Sequence, residues 1–527
     1  MSRSVNSFKN IITLYMSQIL VIVLNFVTRT AFVYVLGEEY LGVNGLFTNI
    51  LSMFSLAELG VGTAIIFKLY KPIEEHNEPR IIALMKLFKK VYVIIGWVIV
   101  GLGLLCIPFL PYIIEDYETF ERLSINPIFV LLLYVFNSAS TYWFFAYKQA
   151  IVRAHQKSYL LTIWGYGVSI ASALAQVVVL ITTRNFILYI AIVIVFNILR
   201  NFIYAWIANK KYSYLKKQTD EKINKAEIKD LFKDCGALFI YKANYAVINA
   251  TDSIVISVIS GLSAVGIYSN YHLLMTNIKA LLHTIFDSIE ASIGSIHATG
   301  NIEWKRTIFS AVNFVAVVIY GFVGIVVAAV GDDFIKFWLG SDYLSNSFTF
   351  GGKVYYYSLP LFLGIELFLT GYTVFLGKIR NSFGLFRQLK FRPILGMIIN
   401  LVVAVVLTPI IGLPGPVIGT IVANLCTIMI FDPIVIIKNE LHTSIPKYFL
   451  KNLWYIAVTL VAGVLAIWSA SFIPVDNFLM LIVRAIVCAF VVLVVYLIAF
   501  ARSAEMKILI GFLPDGIKKK FVRKGEN

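Results

Sequence analysis

Charge is scarce in this chain, and negative charge is scarcer still. Only 14% of the 527 residues are charged, with 29 Asp and Glu against 45 Lys and Arg. That is too little charge for a water-soluble surface of this length, which excludes an ordinary soluble globular protein. Cysteine is almost absent. Cys106, Cys235, Cys426 and Cys488 lie in or beside apolar runs, with no CxxC spacing and no pair in outer loops. They read as small core residues, which excludes a disulfide frame and a thiolate metal centre. No GxxxxGK[ST] loop occurs, so no cradle for nucleotide phosphates is visible. No loop is large enough to fold over a sugar donor, and no carboxylate pair has a partner loop to act as general acid and base. No metal or cofactor is expected. A membrane glycosyltransferase or polymerase therefore fits poorly, despite Glu38-Glu39 in the first outer loop.

Apolar residues are what the chain has in quantity: 59% of the total, with mean hydropathy +0.83. The pattern predicts an all-α polytopic membrane protein. Fourteen apolar windows are long enough to cross a bilayer, at roughly 10–36, 41–67, 88–114, 126–147, 158–183, 186–209, 233–259, 264–296, 308–330, 353–376, 391–411, 415–437, 452–473 and 478–501. The first is too long for a signal-peptide core and has no A-x-A site after it, so it is expected to be retained. Net charge is +16, which in a soluble protein would suggest nucleic acid. Here the basic residues gather in loops on one side, so topology explains them and no nucleic-acid partner is expected. With the N-terminus in the cytoplasm, only Arg122, Arg184, Lys336 and Lys353 fall in outer segments, while Asp332 and Asp333 fall in an outer loop. The excess of positive charge inside supports this orientation, with both termini cytoplasmic in a plasma membrane.

Lys9, Gln18, Asn25, Gly37 and Gly42 are matched 224 residues later by Lys233, Lys242, Asn249, Gly261 and Gly266. Gln18 and Lys242 differ in type but are both polar. The chain thus reads as two six-helix lobes related by an internal repeat, plus two C-terminal helices, a build usual for secondary transporters. The predicted boundaries are 1–209 for the N-lobe, 210–232 for a basic linker and 233–437 for the C-lobe. Residues 438–502 carry the two additional helices, and 503–527 form a basic tail. The lysine-rich linker and tail can lie against anionic phospholipids.

Polar residues inside spans are costly, and those in this chain fall in stripes. In the first span Gln18, Asn25 and Arg29 are spaced seven and four and share a face. In the seventh, Lys242, Tyr245, Asn249 and Asp252 are spaced three, four and three. In the eighth, His272, Thr276, Lys279, His283, Asp287 and Glu290 run down one side. The second span carries the weaker stripe Thr48, Ser52, Ser55 and Glu58. Ser, Thr and Asn in such stripes commonly hold helices together. The eighth-span stripe is too ionic for packing alone and predicts a water-exposed cavity. Arg29, Lys242 and Lys279 would suit an anionic substrate there, with Gln18, Asn25 and Asn249 as polar neighbours. Asp252, Glu58, His283 and Asp287 are candidates to bind a coupling ion or proton. Pro360 is expected inside the tenth span, where it could kink the helix.

Three segments carry a family resemblance. They are YLGVNGLFTNILSMFSLAELGVGTAIIFKLY from Tyr40 to Tyr70, VGIYSNY from Val265 to Tyr271, and GLPGPVIGT from Gly412 to Thr420. These resemble the bacterial polysaccharide flippases of the multidrug, oligosaccharidyl-lipid and polysaccharide exporter superfamily. The resemblance implies an alternating-access flippase and no enzyme. Its cargo would be a polyprenyl-pyrophosphate-linked oligosaccharide, moved from the inner to the outer leaflet for surface polysaccharide synthesis. It also implies polysaccharide polymerase or assembly proteins as partners. Family members line their cavity with cations from helices 1, 2, 7 and 8. Arg29, Lys242 and Lys279 match that role by type and helix, whereas the second span offers Glu58 and no cation. A drug/cation antiporter of the same superfamily is the rival reading; such proteins usually have twelve spans and an acid in the first, where this chain has Arg29.

Overall fold

Several of the long helices open on asparagine. Asn77, Asn126, Asn185 and Asn477 each cap a helix, accepting from the backbone N–H of Arg80 (3.0 Å), Ile128 (2.9 Å), Leu188 (3.0 Å) and Met480 (2.9 Å). Such a cap contributes about 1 kcal/mol in water. Near a bilayer it also satisfies donors that lipid cannot. The computed structural model describes residues 3–54, 61–114, 119–155, 157–219, 221, 223–299, 302–344, 347–350, 353–383, 385, 388–389 and 391–511. Side chains not described include those of 3–18, 228–249 and 287–299.

The chain packs as two compact units, Met1–Ser269 and Asn270–Asn527. The first holds α1 (Arg3–Leu36), α2 (Glu38–Phe54), α3 (Val61–Glu74), α4 (Glu78–Cys106), α5 (Pro127–Trp143), α6 (Gln149–Ala154), α7 (Ser158–Thr183), α8 (Phe186–Lys211) and the start of α9 (Lys225–Thr299). The second holds the rest of α9 and α10 (Ile302–Leu339), then a hairpin of β1 (Ser347–Phe350) and β2 (Lys353–Tyr356). There follow α11 (Leu359–Ser382), α12 (Arg392–Ile411), α13 (Pro414–Cys426), α14 (Ile428–Ile436), α15 (Ile445–Ser471), α16 (Phe478–Phe500) and α17 (Ala504–Gly511). The hairpin is antiparallel, with Ser347 opposite Tyr356 and Phe350 opposite Lys353. Large apolar side chains such as Trp97, Leu105, Ile181, Val464 and Ile498 are more than 60% exposed, as lipid-facing residues are.

The repeat is visible in the first unit's backbone. Gly37 ends α1 with φ +89, and Gly261 breaks α9 with φ +81. Both lie in the left-handed region that favours glycine. A Cβ on Gly42 would overlap the carbonyl oxygen of Leu262, and one on Gly266 would overlap that of Glu38. Positions 38 and 262 are 224 apart, as are 42 and 266. The crossing is therefore reciprocal, each copy's glycine seated on the other's carbonyl. Ser263 Oγ donates to Glu38 Oε1 across it at 2.6 Å.

In the second unit α10 and α11 also meet through glycine. A Cβ on Gly324 would lie 2.6 Å from the Gly364 carbonyl oxygen. Small residues let the helices close to backbone contact, the usual device where lipid removes the hydrophobic drive. Phe314, Tyr372, Tyr455 and Phe500 fill the core beside them. In the GLPGPVIGT segment, a Cβ on Gly415 would meet Thr408 N at 2.6 Å and one on Gly419 would meet Asn400 O at 2.8 Å. That motif packs α12 against α13.

Among the described residues, eleven helices are long and apolar enough to cross a membrane, or twelve if bent α5 and α6 form one span, against the fourteen expected. Two places separate the counts: residues 55–60 after α2 lie outside the described residues, and Ala250–Phe286 of α9 counts once despite the break at Gly261. The tenth span does not begin at 353, because β2 occupies 353–356. Pro360 instead sits in the first turn of α11, where its missing N–H costs no helical bond and no kink follows. Finally, Asp332 and Asp333 are not in a loop but within α10. Each has a partner that permits it: Tyr271 and Ser358 donate to Asp332, both at 2.9 Å, and Arg484 to Asp333 at 2.6 Å.

Candidate functional site

In the first unit α1 turns Arg29 inward while Asn25, one turn earlier, stays exposed. The Arg29 guanidinium donates to Ser269 Oγ, which itself donates to the Gly266 carbonyl at 2.7 Å. Tyr189 of α8 lies within electrostatic reach of Arg29, and Phe32 meets its ring edge-on at 4.9 Å. Asp252 is buried on α9 and accepts from Tyr268 Oη at 3.3 Å. Beside it Asn49 Nδ2 donates to Ser253 Oγ at 2.6 Å. One stretch of α9, residues 252–269, thus carries Asp252, the tyrosine that meets it and the serine that holds Arg29. A cation and an anion are thus held in one apolar unit, and each meets a neutral hydroxyl.

In the second unit Lys279 is ion-paired. Its ammonium lies 2.7 Å from Glu366 Oε2 and 2.9 Å from Oε1. Thr370 Oγ1 donates to the same carboxylate at 3.0 Å. Thr276 is exposed, with its hydroxyl 3.4 Å from His272 Nδ1, and His283 is half-buried on the same face. The stripe read in the sequence is present as a helical face down to His283. Lys279 has its charge matched by Glu366, a partner from another helix.

Glu366 is the site residue that sequence reasoning did not assign. Its signal was available: it is the sole acidic residue of a 24-residue apolar helix. Ser269 and Tyr268 gave no comparable signal, since hydroxyls are common in membrane helices. Among the other expected residues, the side chains of Gln18, Lys242, Asn249 and Asp287 lie outside the described set, and Glu58 lies outside the described residues altogether. Among the described residues no group of three or more His, Cys, Asp or Glu could hold a metal ion.

Long apolar helices, glycine crossings and ionic residues fixed inside spans define a polytopic membrane protein. The fold is similar to that of the lipid II flippase MurJ in an inward closed conformation, with TM-score 0.61 and 13% identity, covering 93% of this chain and 99% of that one. It is also similar to an inward-facing multidrug resistance MATE family transporter, with TM-score 0.59 and 13% identity, covering 79% of this chain and 94% of that one. An outward-facing MATE structure matches with TM-score 0.51 and 12% identity, over 80% and 93% of the respective chains. No individually curated protein matches the sequence. The chain belongs to the polysaccharide biosynthesis protein family, whose profile matches residues 7–289.

Proposed function

We propose that this protein is a flippase, not an enzyme. It carries a polyprenyl-pyrophosphate-linked oligosaccharide from the inner to the outer leaflet of a bacterial plasma membrane, by alternating access, for surface polysaccharide synthesis. Its termini lie in the cytoplasm, and residues 210–232 link its two lobes. The observation that carries the reading is a guanidinium held inside an apolar helical unit, where it donates to Ser269, within a chain of the polysaccharide biosynthesis family. Its planar fork suits pyrophosphate oxygens. The fold likeness supports the same choice, since the lipid flippase covers 93% of this chain and the inward-facing drug transporter 79%.

In this mechanism Arg29, Lys242 and Lys279 receive the pyrophosphate, and Gln18, Asn25 and Asn249 hydrogen-bond its glycan. Lys279 meets Glu366 while the site is empty of cargo and exchanges that partner for phosphate. The test is flipping of a fluorescent polyprenyl-pyrophosphate oligosaccharide in proteoliposomes. Wild-type protein should expose the label to an external quencher. Arg29→Ala should abolish this, and Arg29→Lys should impair it, because a point charge replaces a bidentate fork. Uptake of cationic dyes with no lipid flipping would instead make it a drug antiporter.

A further inference from the structure

We propose that the first unit carries a second anion site, apart from the membrane-buried stripes, that seats the phosphate of an anionic phospholipid. The site is a cavity of about 530 Å³ where α5 and α6 meet the end of α8. Lys148, Lys210 and Lys216 line it together with Asn209, and among the described residues no carboxylate does. Its walls are Phe145, Phe202 and Trp206.

Each cation is placed by a specific contact. Lys148 Nζ donates to Asn209 Oδ1 at 2.8 Å and lies 5.0 Å from the centre of the Phe145 ring. Lys210 Nζ lies 4.9 Å from the Trp206 ring. The charges that act on Lys148 are those of Lys89 and Lys216, both positive. Among the described residues of the adjoining segment, Glu78 holds Lys217 at 2.7 Å, and Arg80 holds Glu221 and Glu227. Among the described residues, none of the cavity's lysines makes an ion pair. Like charges gathered without a counter-ion repel, and an anion in the cavity relieves that repulsion.

The backbone is strained where the site is built. Phe145 has φ +61, a left-handed conformation that a bulky L-residue rarely adopts. The chain bends there by 42° between α5 and α6. This bend turns Lys148 toward Asn209. Strain at a non-glycine residue persists where the surroundings hold it, and such places cluster at ligand sites.

The rim distinguishes a lipid from a soluble anion. Phe202 and Trp206, both on α8, are 47% and 53% exposed. Tryptophan beside lysine is the pairing of the headgroup layer, with the ring at the acyl boundary and the charge at the phosphate. The cavity therefore offers cations to a phosphate and an apolar ledge to the chain attached to it. This proposal does not depend on which cargo the protein moves.

The test is native mass spectrometry of the full-length protein in an uncharged detergent, titrated with phosphatidylglycerol or phosphatidylcholine. Phosphatidylglycerol should bind and phosphatidylcholine should not. Removing a lysine should weaken binding about five-fold each. Lys148→Gln with Lys216→Gln should then weaken it roughly 25-fold. Lys210→Gln with Lys216→Gln should do the same while breaking no hydrogen bond, so a folding defect at Lys148 cannot mimic the result. A control pair of exposed lysines in the second unit, Lys438→Gln with Lys447→Gln, should change binding less than about two-fold. Equal binding of both lipids, or unchanged binding in both cavity variants, would overturn the proposal. Inorganic phosphate at matching concentration should not displace the lipid; full displacement would assign the cavity to free phosphate and overturn the lipid reading.

Discussion

At the scale of single residues, the ion pair Lys279–Glu366 makes the sharpest demand. Either residue alone would leave a charge in an apolar bundle, so the two are coupled. A double-mutant cycle with Lys279→Met and Glu366→Leu should give a coupling of about 0.5–3 kcal/mol in thermal or denaturant unfolding. Additive effects would mean that the pair adds nothing to stability. Lys279, Arg29, Asp252 and His283 were legible in the sequence because an ionic residue in an apolar run stands out. The partner of Lys279 was not, because Glu366 lies 87 residues away and helical spacing says nothing across helices. Glu505, beyond the last span, makes a second demand. It is 4% exposed and bound by Lys451 and Ser310. Burial works to raise its pKa, but those two partners outweigh it and hold the carboxyl below the usual carboxylate range. A lowered folded pKa gives stability that is present above the unfolded value and lost as pH falls through the folded one. Melting temperature should therefore drop as pH falls below about 4.5, and Glu505→Gln should flatten that part of the profile. A wild-type curve matching the variant's would count against the assignment.

At the scale of elements, a buried triad fastens three helix ends in the second unit. Asp432 of α14 is 0% exposed. Arg380 of α11 reaches its Oδ2 at 2.8 Å, and Arg392, which opens α12, reaches its Oδ1 at 3.1 Å. Asp432→Asn removes the charge and keeps the shape, leaving two guanidinium groups without their shared anion. Breaking such a buried set costs about 3–5 kcal/mol. The variant should therefore melt well below wild type, while Lys438→Gln at an exposed position should not. An unchanged melt would mean that water already satisfies the arginines. Most helices could be read from hydropathy, and the asparagine caps mark their starts. What hydropathy could not see was helix that continues past a charge, as at Asp332, or begins later than its apolar run does, as at the 347–356 hairpin. In both cases a tertiary partner or strand pairing overrode local composition.

At the scale of the whole molecule, transport by this reading needs an energy source other than ATP. Asp252 occupies the repeat position of Thr28, next to Arg29, so one copy presents an anion beside the place where the other presents a cation. Neutralising Asp252 by an ion or proton changes the net charge of the pathway by one. A membrane potential supplies about 2.3 kcal/mol per charge per 100 mV, enough to shift a two-state equilibrium more than tenfold. Flipping in liposomes should respond to an imposed potential or ion gradient, and Asp252→Asn should remove part of that response. A rate indifferent to both would make the protein a passive facilitator, with Glu58, His283 and Asp287 equally idle as coupling groups.

The reciprocal glycine crossing bears on genetics. Where two side chains collide, a smaller neighbour can restore the fit, and second-site suppressors map to that neighbour. Here the obstacle to a methyl at Gly42 is the main-chain carbonyl of Leu262, and at Gly266 it is that of Glu38. Every residue has that carbonyl, so no substitution at 262 or 38 makes room. Gly42→Ala and Gly266→Ala should each cost about 1–3 kcal/mol by overpacking. In a selection for restored export, revertants should regain glycine or carry changes that slide a whole helix. A suppressor at Leu262 or Glu38 would show that the two segments meet through side chains after all.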